Sequence, residues 1–198
     1  MNSHRNLYRA IPRTIIASLM LVVLPLGSYV FFTKATGNFH EVSKGVVYRS
    51  GQLSAEQLRA KASQLKLQSV LNMRGNNSGQ KWYDEELALC ESIGIRHLDF
   101  ETSAGKDLSI SQMEKLIDIL HEAPKPMLIH CKDGADRAAL ASALYLMAVD
   151  GKTPVEAAKE LTMWYGHIPF ITPHVAAMDR SLCSYVKSRS DSQTRSLK

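Results

Sequence analysis

Paired cysteines are missing from this chain. It has three, Cys90, Cys131 and Cys183, an odd number without paired spacing, which excludes a disulfide framework. There is no C-x-x-C, and no Cys/His cluster has zinc-ligand spacing. His97, His121, His167 and His174 share no metal-ligand spacing either, so no metal and no cofactor is assigned. Internal repeats are absent. Aromatics make up only 7%, and no Arg/Lys stripe is interleaved with them, which argues against nucleic acid as a partner. The net charge of +5 fits an anionic substrate or an anionic membrane surface instead.

What is present is ordinary globular material. Hydrophobic residues are 45% and charged residues 22% of the 198, enough for one domain with appendages. The exception is Thr14 to Phe32, about nineteen residues without a charge. That length spans the ~30 Å hydrocarbon core as a helix. Arg5, Arg9 and Arg13 precede it and Lys34 alone follows closely, so the positive-inside rule puts the N-terminus in the cytoplasm and the domain outside it. A cleaved signal peptide is the rival reading, with Thr33–Ala35 as its nearest cleavage site, and a buried core helix is a third. The expected division is 1–36 as cytoplasmic tip and membrane anchor, 37–44 as linker, 45–186 as the catalytic domain and 187–198 as a disordered tail.

Within the domain, short apolar runs alternate with capped helical patterns. Strands are expected from Val46–Tyr48 until Gly51 ends the first, then at Ser69–Met73, Ile95–Phe100 and Met127–His130, the last at the sheet centre. Ser54 with Gln57 and Ser109 with Gln112 have capping-box spacing, and Thr153 with Pro154 opens another helix. Helices follow at Trp82–Ser92, Arg137–Val149 and from about Pro173 to Val186. This alternation predicts an α/β fold with a central, largely parallel sheet flanked by helices. Ligands in such sheets bind beyond the carboxyl ends of the strands.

The turn after Met127–His130 is such an end, and it reads His130-Cys131-Lys132-Asp133-Gly134-Ala135-Asp136-Arg137. Backbone N–H groups at a strand-to-helix turn form an anion-binding concavity, and the helix N-terminus adds partial positive charge. Gly134 permits a tight turn or a close backbone approach. Arg137 has the planar fork that grips two phosphate oxygens. Thiols in a positive field ionise, and the thiolate is the nucleophile. A covalent phosphocysteine would split one hard displacement into two easier ones. The substrate-binding set is therefore Lys132, Asp133, Gly134, Ala135, Asp136 and Arg137, with Cys131 and Arg137 catalytic.

H-C-x5-R after a strand resembles the signature of the cysteine-dependent protein-tyrosine and dual-specificity phosphatase superfamily. The likeness covers roughly 45–185, and VYRSGQLS and SVLNMRG look like segments of small bacterial dual-specificity-type members. The resemblance implies a dual-specificity-phosphatase-like fold and a metal-independent phosphomonoesterase acting on phosphoproteins. An inositol-lipid or other membrane-phosphate phosphatase and a weak phosphate-binding pseudophosphatase are the alternatives. CKDGADR also looks like the CxDGxDR loop of myotubularin-type lipid phosphatases, and Lys132 is similar to the basic residue after the cysteine in inositol-lipid phosphatases. Where the family usually has Ser or Thr after the arginine, this chain has Ala138, which lacks the hydroxyl thought to help the thiolate leave.

The resemblance implies a general acid without fixing it. Asp136 matches the in-loop acid of the myotubularins and is taken as catalytic; Asp99, Glu101 and Asp107 are the other candidates. His130 is read as a buried buttress of the loop, and Cys90 and Cys183 as packing residues. Trp164, Tyr165 and Phe170 are read as core. Asn72 and Arg74, at the end of their strand, either support the loop or touch substrate. The membrane reading has a direct test. Alkaline phosphatase fused beyond Lys34, active only after export, should be active; an expressed but inactive fusion reverses the orientation.

Overall fold

The computed structural model describes residues 35–196, together with Ser18, Met20, Leu21, Val23, Leu24, Gly27, Ser28, Tyr29 and Thr33. Most of the apolar segment at 14–32 therefore lies outside the described residues. Among those described, no helix is long and apolar enough to cross a membrane. The chain divides into two compact units, Met1–Thr36 and Gly37–Lys198.

The second unit is built on a five-stranded sheet in the order β1-β2-β5-β3-β4. The strands are β1 (His40–Ser43), β2 (Val47–Ser50), β3 (Ser69–Asn72), β4 (Arg96–Asp99) and β5 (Met127–His130). β1 pairs antiparallel with β2, and every other pairing is parallel. The expected largely parallel α/β sheet is thus present, with Met127–His130 at its centre.

The segment read as a linker contributes β1. Gly45, at φ 71°, turns the chain back, and its N–H donates to Glu41 Oε1 at 2.7 Å. A polar run of this kind reads as linker because an edge strand needs no alternating apolar face. The segment read as a disordered tail is the end of the last helix, α6 (Ala176–Ser196). Ala177, Met178, Leu182 and Tyr185 dock one stripe of it in the core. Helix growth from that docked stretch adds one backbone bond per residue, so it continues into solvent. Serine and threonine hydroxyls turn back to preceding carbonyls along it, as Ser192 does to Ser188 at 2.9 Å.

The remaining helices are α1 (Ala55–Leu65), α2 (Lys81–Ser92), α3 (Ile110–Glu122), α4 (Arg137–Ala148) and the single turn α5 (Pro154–Ala157). Ser54, Ser109 and Thr153 all form complete capping boxes. One sheet face, with Val47, Leu71 and Ile129, packs on α3, α4 and α6; α4 is buried from Ala138 to Leu146. The other face, with Tyr48, Val70 and Leu128, packs on α1 and α2 through Leu58, Ala62, Leu89 and Cys90. Cys90 is wholly buried as expected, and burial pushes its thiol up to about 12. Cys183 is exposed, because it falls off the docked stripe of α6. Trp164 and Phe170 are 76% and 72% exposed, not core, because the chain there runs over the surface in short 3-10 turns.

Parallel register puts the strand ends in one row: Ser50 pairs with His130, His130 with Asn72, and Asn72 with Asp99. Beneath that row lies one buried carboxylate. Glu86 of α2 accepts from Gln52 Nε2 at 2.7 Å and lies 3.0 Å from both His97 Nε2 and His130 Nε2. Burial alone would raise its pKa, but His130, His97 and Gln52 hold it down at about 2. His130 is indeed the buried buttress expected. A carboxylate depressed in the folded state stabilises the fold above its ordinary 4.5, and that stability is lost as pH falls toward 2. In denaturant titrations, the parent should lose roughly 3 kcal/mol more than Glu86→Gln between neutral pH and pH ~2.

Candidate active site

The loop from Cys131 to Asp136 is pressed against the turn after β2, backbone on backbone. Gly134 has φ 72°, and a Cβ there would come 2.5 Å from Gly51 N and 2.6 Å from the Ser50 carbonyl carbon. A Cβ on Gly51 would in turn meet the Asp133 carbonyl carbon at 3.1 Å. Cross-bonds hold the two turns together: Gln52 N donates to Lys132 O at 3.0 Å and Cys131 N to Ser50 O at 3.3 Å; Asn38, just ahead of β1, adds Nδ2 to Asp133 O at 3.0 Å. The sequence VYRSGQ is thus the partner surface of the loop.

Cys131 is 2% exposed, and Gly134 N–H donates to its Sγ at 3.3 Å. Arg137, the first residue of α4, is half-buried, and its NH1 donates to Thr102 O at 3.3 Å. The Lys132 and Asp133 side chains are exposed, and their carbonyls make the bonds that fix the loop. Ala135 is buried, with Gly166 against its methyl. Ala138 is 0% exposed.

Asp136 occupies the N-cap of α4 without capping it. Its Oδ1 lies 2.7 Å from His167 Nδ1, and His167 Nε2 lies 2.9 Å from Asp179 Oδ2 of α6. A doubly protonated ring satisfies both with donated bonds. Burial favours the neutral ring, but the two carboxylates prevail and raise the His167 pKa above its ordinary value. Because Asp136 is turned aside, no side chain caps the first turn of α4.

The other acid candidates are placed differently. Asp99 accepts from Asn72 Nδ2 at 2.8 Å and from the Tyr83 hydroxyl at 2.5 Å. Burial and that bond push Tyr83 up to about 12. Asn72 also accepts from Arg74 N, so it shapes the turn after β3. Asp107 makes a two-pronged pair with Arg180, at 3.0 and 2.6 Å. Glu101 is exposed on a groove beside Thr102.

Four supporting residues escaped the reading of the sequence. Arg49 of β2 is fully buried; its NH1 donates to both Oε2 and the carbonyl of Glu160, at 2.7 and 2.9 Å. Burial lowers its pKa, while Glu160 and then Cys131 act to raise it. The signal was an arginine within an apolar strand, which needs a buried acid. His167 and Glu86 are the other two, and neither has a sequence spacing that points to the loop.

No protein-family model and no curated protein sequence matches this chain. Solved structures do. The chain has the fold of the cysteine-dependent tyrosine and dual-specificity-type phosphatases. TpbA of P. aeruginosa is similar over 77% of this chain and 92% of its own, at 20% identity and a TM-score of 0.54. A cysteine-to-serine form of it, in complex with pTyr, is similar at the same identity and TM-score over 76% and 91%. The core catalytic domain of the PP-IP phosphatase SIW14 from S. cerevisiae, in complex with citrate, matches over 80% and 93% at 20% identity and a TM-score of 0.60.

Gly134→Ala tests the loop. Left-handed backbone and a blocked Cβ together should cost about 2 kcal/mol of stability. Phosphate affinity should fall at least tenfold, read by calorimetry beside thermal unfolding.

Proposed function

We propose that this protein is a metal-independent phosphomonoesterase that works through a phosphocysteine intermediate, on phosphorylated tyrosine or dual-specificity protein substrates. The observation that carries the reading is the loop itself. A buried cysteine, a glycine N–H on its sulfur and the half-buried Arg137 stand together in the turn that ends at the uncapped N-terminus of α4. The fold neighbours support it, one of them having been crystallised with phosphotyrosine.

In this reading the loop N–H groups and Arg137 hold the phosphoryl oxygens, and the charge that develops on them is met by donors already in place. Cys131 Sγ attacks phosphorus, the P–O bond to the leaving group breaks, and a P–S bond forms. Asp136 handles the proton. It shares one with His167, passes it to the leaving oxygen, and then takes one from the water that cleaves the P–S bond. His167 keeps the pair loaded, since its proton is held above the pH at which free imidazole loses it. Asp99 and Asp107 are committed to structural bonds. Ala138 has no hydroxyl to offer the departing sulfur, so hydrolysis of the phosphoenzyme is the slow step. We further place the domain outside the cytoplasm, held by the segment at 14–32, on the strength of its sequence.

The test is Cys131→Ser in the full chain. Turnover of an aryl phosphate should vanish while vanadate or phosphate binding persists, because the N–H cradle and Arg137 remain. Residual hydrolysis near the parent rate would sink the cysteine mechanism. Arg137→Lys should also lose more than tenfold in rate, since an ammonium cannot reproduce the planar fork.

A further inference from the structure

Arg74 sits in the turn after β3, at the same sheet edge as the cysteine loop, and among the described residues it has no acidic partner. Its guanidinium carbon lies 3.4 Å from the centroid of the Trp82 ring. NH1 donates to Gln52 Oε1 at 2.9 Å. The group is thus fixed by a stack on one side and a neutral amide at one end. No carboxylate pairs with it within 4 Å among the described residues, whereas Arg49 and Arg180 each have one.

Its position carries a cost. Burial lowers the Arg74 pKa, and repulsion from Arg137 lowers it further, while Glu86, Cys131 and Asp133 act in the opposite sense. The two guanidiniums therefore repel each other, and the cysteine of the loop is one of the groups that offsets this at Arg74. Side chains pinned against like charge indicate a counter-charge that arrives from outside. A single phosphoryl group in the loop already has Arg137 and the loop N–H groups.

Beside Arg74 runs a groove of about 510 Å³, lined by Thr102, Ser103, Lys106 and Gln112 together with Glu101 and Asp107. Asp107 is neutralised by Arg180. Thr102 is also the residue whose carbonyl receives Arg137, so Arg137 reaches a wall of the groove that Arg74 lines. Lys106 supplies a second cation along it, and Ser103 and Gln112 supply hydrogen-bonding groups.

We propose that Arg74, held flat by Trp82, forms a second anion subsite next to the cysteine loop, and that the substrate is a phosphomonoester carrying a second phosphate on the same molecule. The stack leaves the outer edge of the guanidinium to meet that phosphate, and the groove takes the atoms that link the two groups. This rests on the reading of the loop as a phosphate site, and it narrows the substrate class.

The experiment uses the full chain with Cys131→Ser, so that nothing is turned over. Inorganic phosphate and pyrophosphate are titrated by calorimetry, and Trp82 fluorescence gives a second signal from the stack itself. Pyrophosphate should bind at least tenfold more tightly than phosphate. Adding Arg74→Gln should cost pyrophosphate roughly tenfold more than it costs phosphate, the scale of one charge-assisted hydrogen bond. Arg74→Lys keeps the charge and loses the stack, and it should fall between the two. Equal losses for both ligands would mean that Arg74 grips the reacting phosphoryl group, and no loss for either would make it a brace for Gln52; both outcomes overturn the proposal. Failure of the underlying reading looks different: neither ligand binds, even with Arg74 intact.

Discussion

The site depends on two glycines that let two backbones touch. Gly134 and Gly51 bring the cysteine loop against the turn after β2 with no room for a Cβ on the loop side. Everything placed on the loop inherits its position from that contact. Cys131 is carried to the end of the central strand, and the Gly134 N–H is aimed back at its sulfur. Lys132 and Asp133 then serve through their carbonyls, which bind Gln52 and Asn38, rather than through their charges.

Around this contact the charges are arranged in two layers. Below the sheet edge, Glu86 gathers Gln52, His97 and His130, so the strand end and the Gln52 turn share one buried carboxylate. On the opposite face, Glu160 neutralises Arg49, and Tyr165 lies between Arg49 and His40, 4.8 Å from the guanidinium and stacked 3.8 Å from the imidazole. Each layer has its own carboxylate, while Arg49 Nε and NH2 and His130 Nδ1 are buried without a hydrogen-bond partner among the described residues. Arg137 and Arg74, on the open side, have no carboxylate within 4 Å among the described residues, and that asymmetry leaves a positive field for an incoming anion.

Much of the fold was legible because local signals agreed. The capping boxes at Ser54, Ser109 and Thr153 fixed helix starts, and the apolar run Met127–His130 fixed the central strand to the residue. Cys131, Gly134 and Arg137 were legible for the same reason, since their spacing is local to one turn. What the sequence hid is non-local. His167 reaches Asp136 across thirty-one positions, and Glu86 meets His130 only when the sheet has formed. β1 and the end of α6 were misread because an edge strand and a solvated helix turn carry little apolar pattern. The exposure of Trp164 and Phe170 runs against composition, which places aromatics inside by default.

The turned-aside carboxylate of Asp136 has a consequence for folding itself. Helix α4 is buried from Ala138 to Leu146, yet its leading N–H groups receive no side-chain cap from Asp136. On the proposed function, an oxyanion seated in the loop would supply what the chain withholds. Ligand and fold are then coupled by mass action: a loop saturated a hundredfold above its dissociation constant adds about 2.7 kcal/mol to the native state. Phosphate-rich surroundings would then hold this protein folded more firmly than phosphate-poor ones, and its resistance to unfolding would track the availability of such groups.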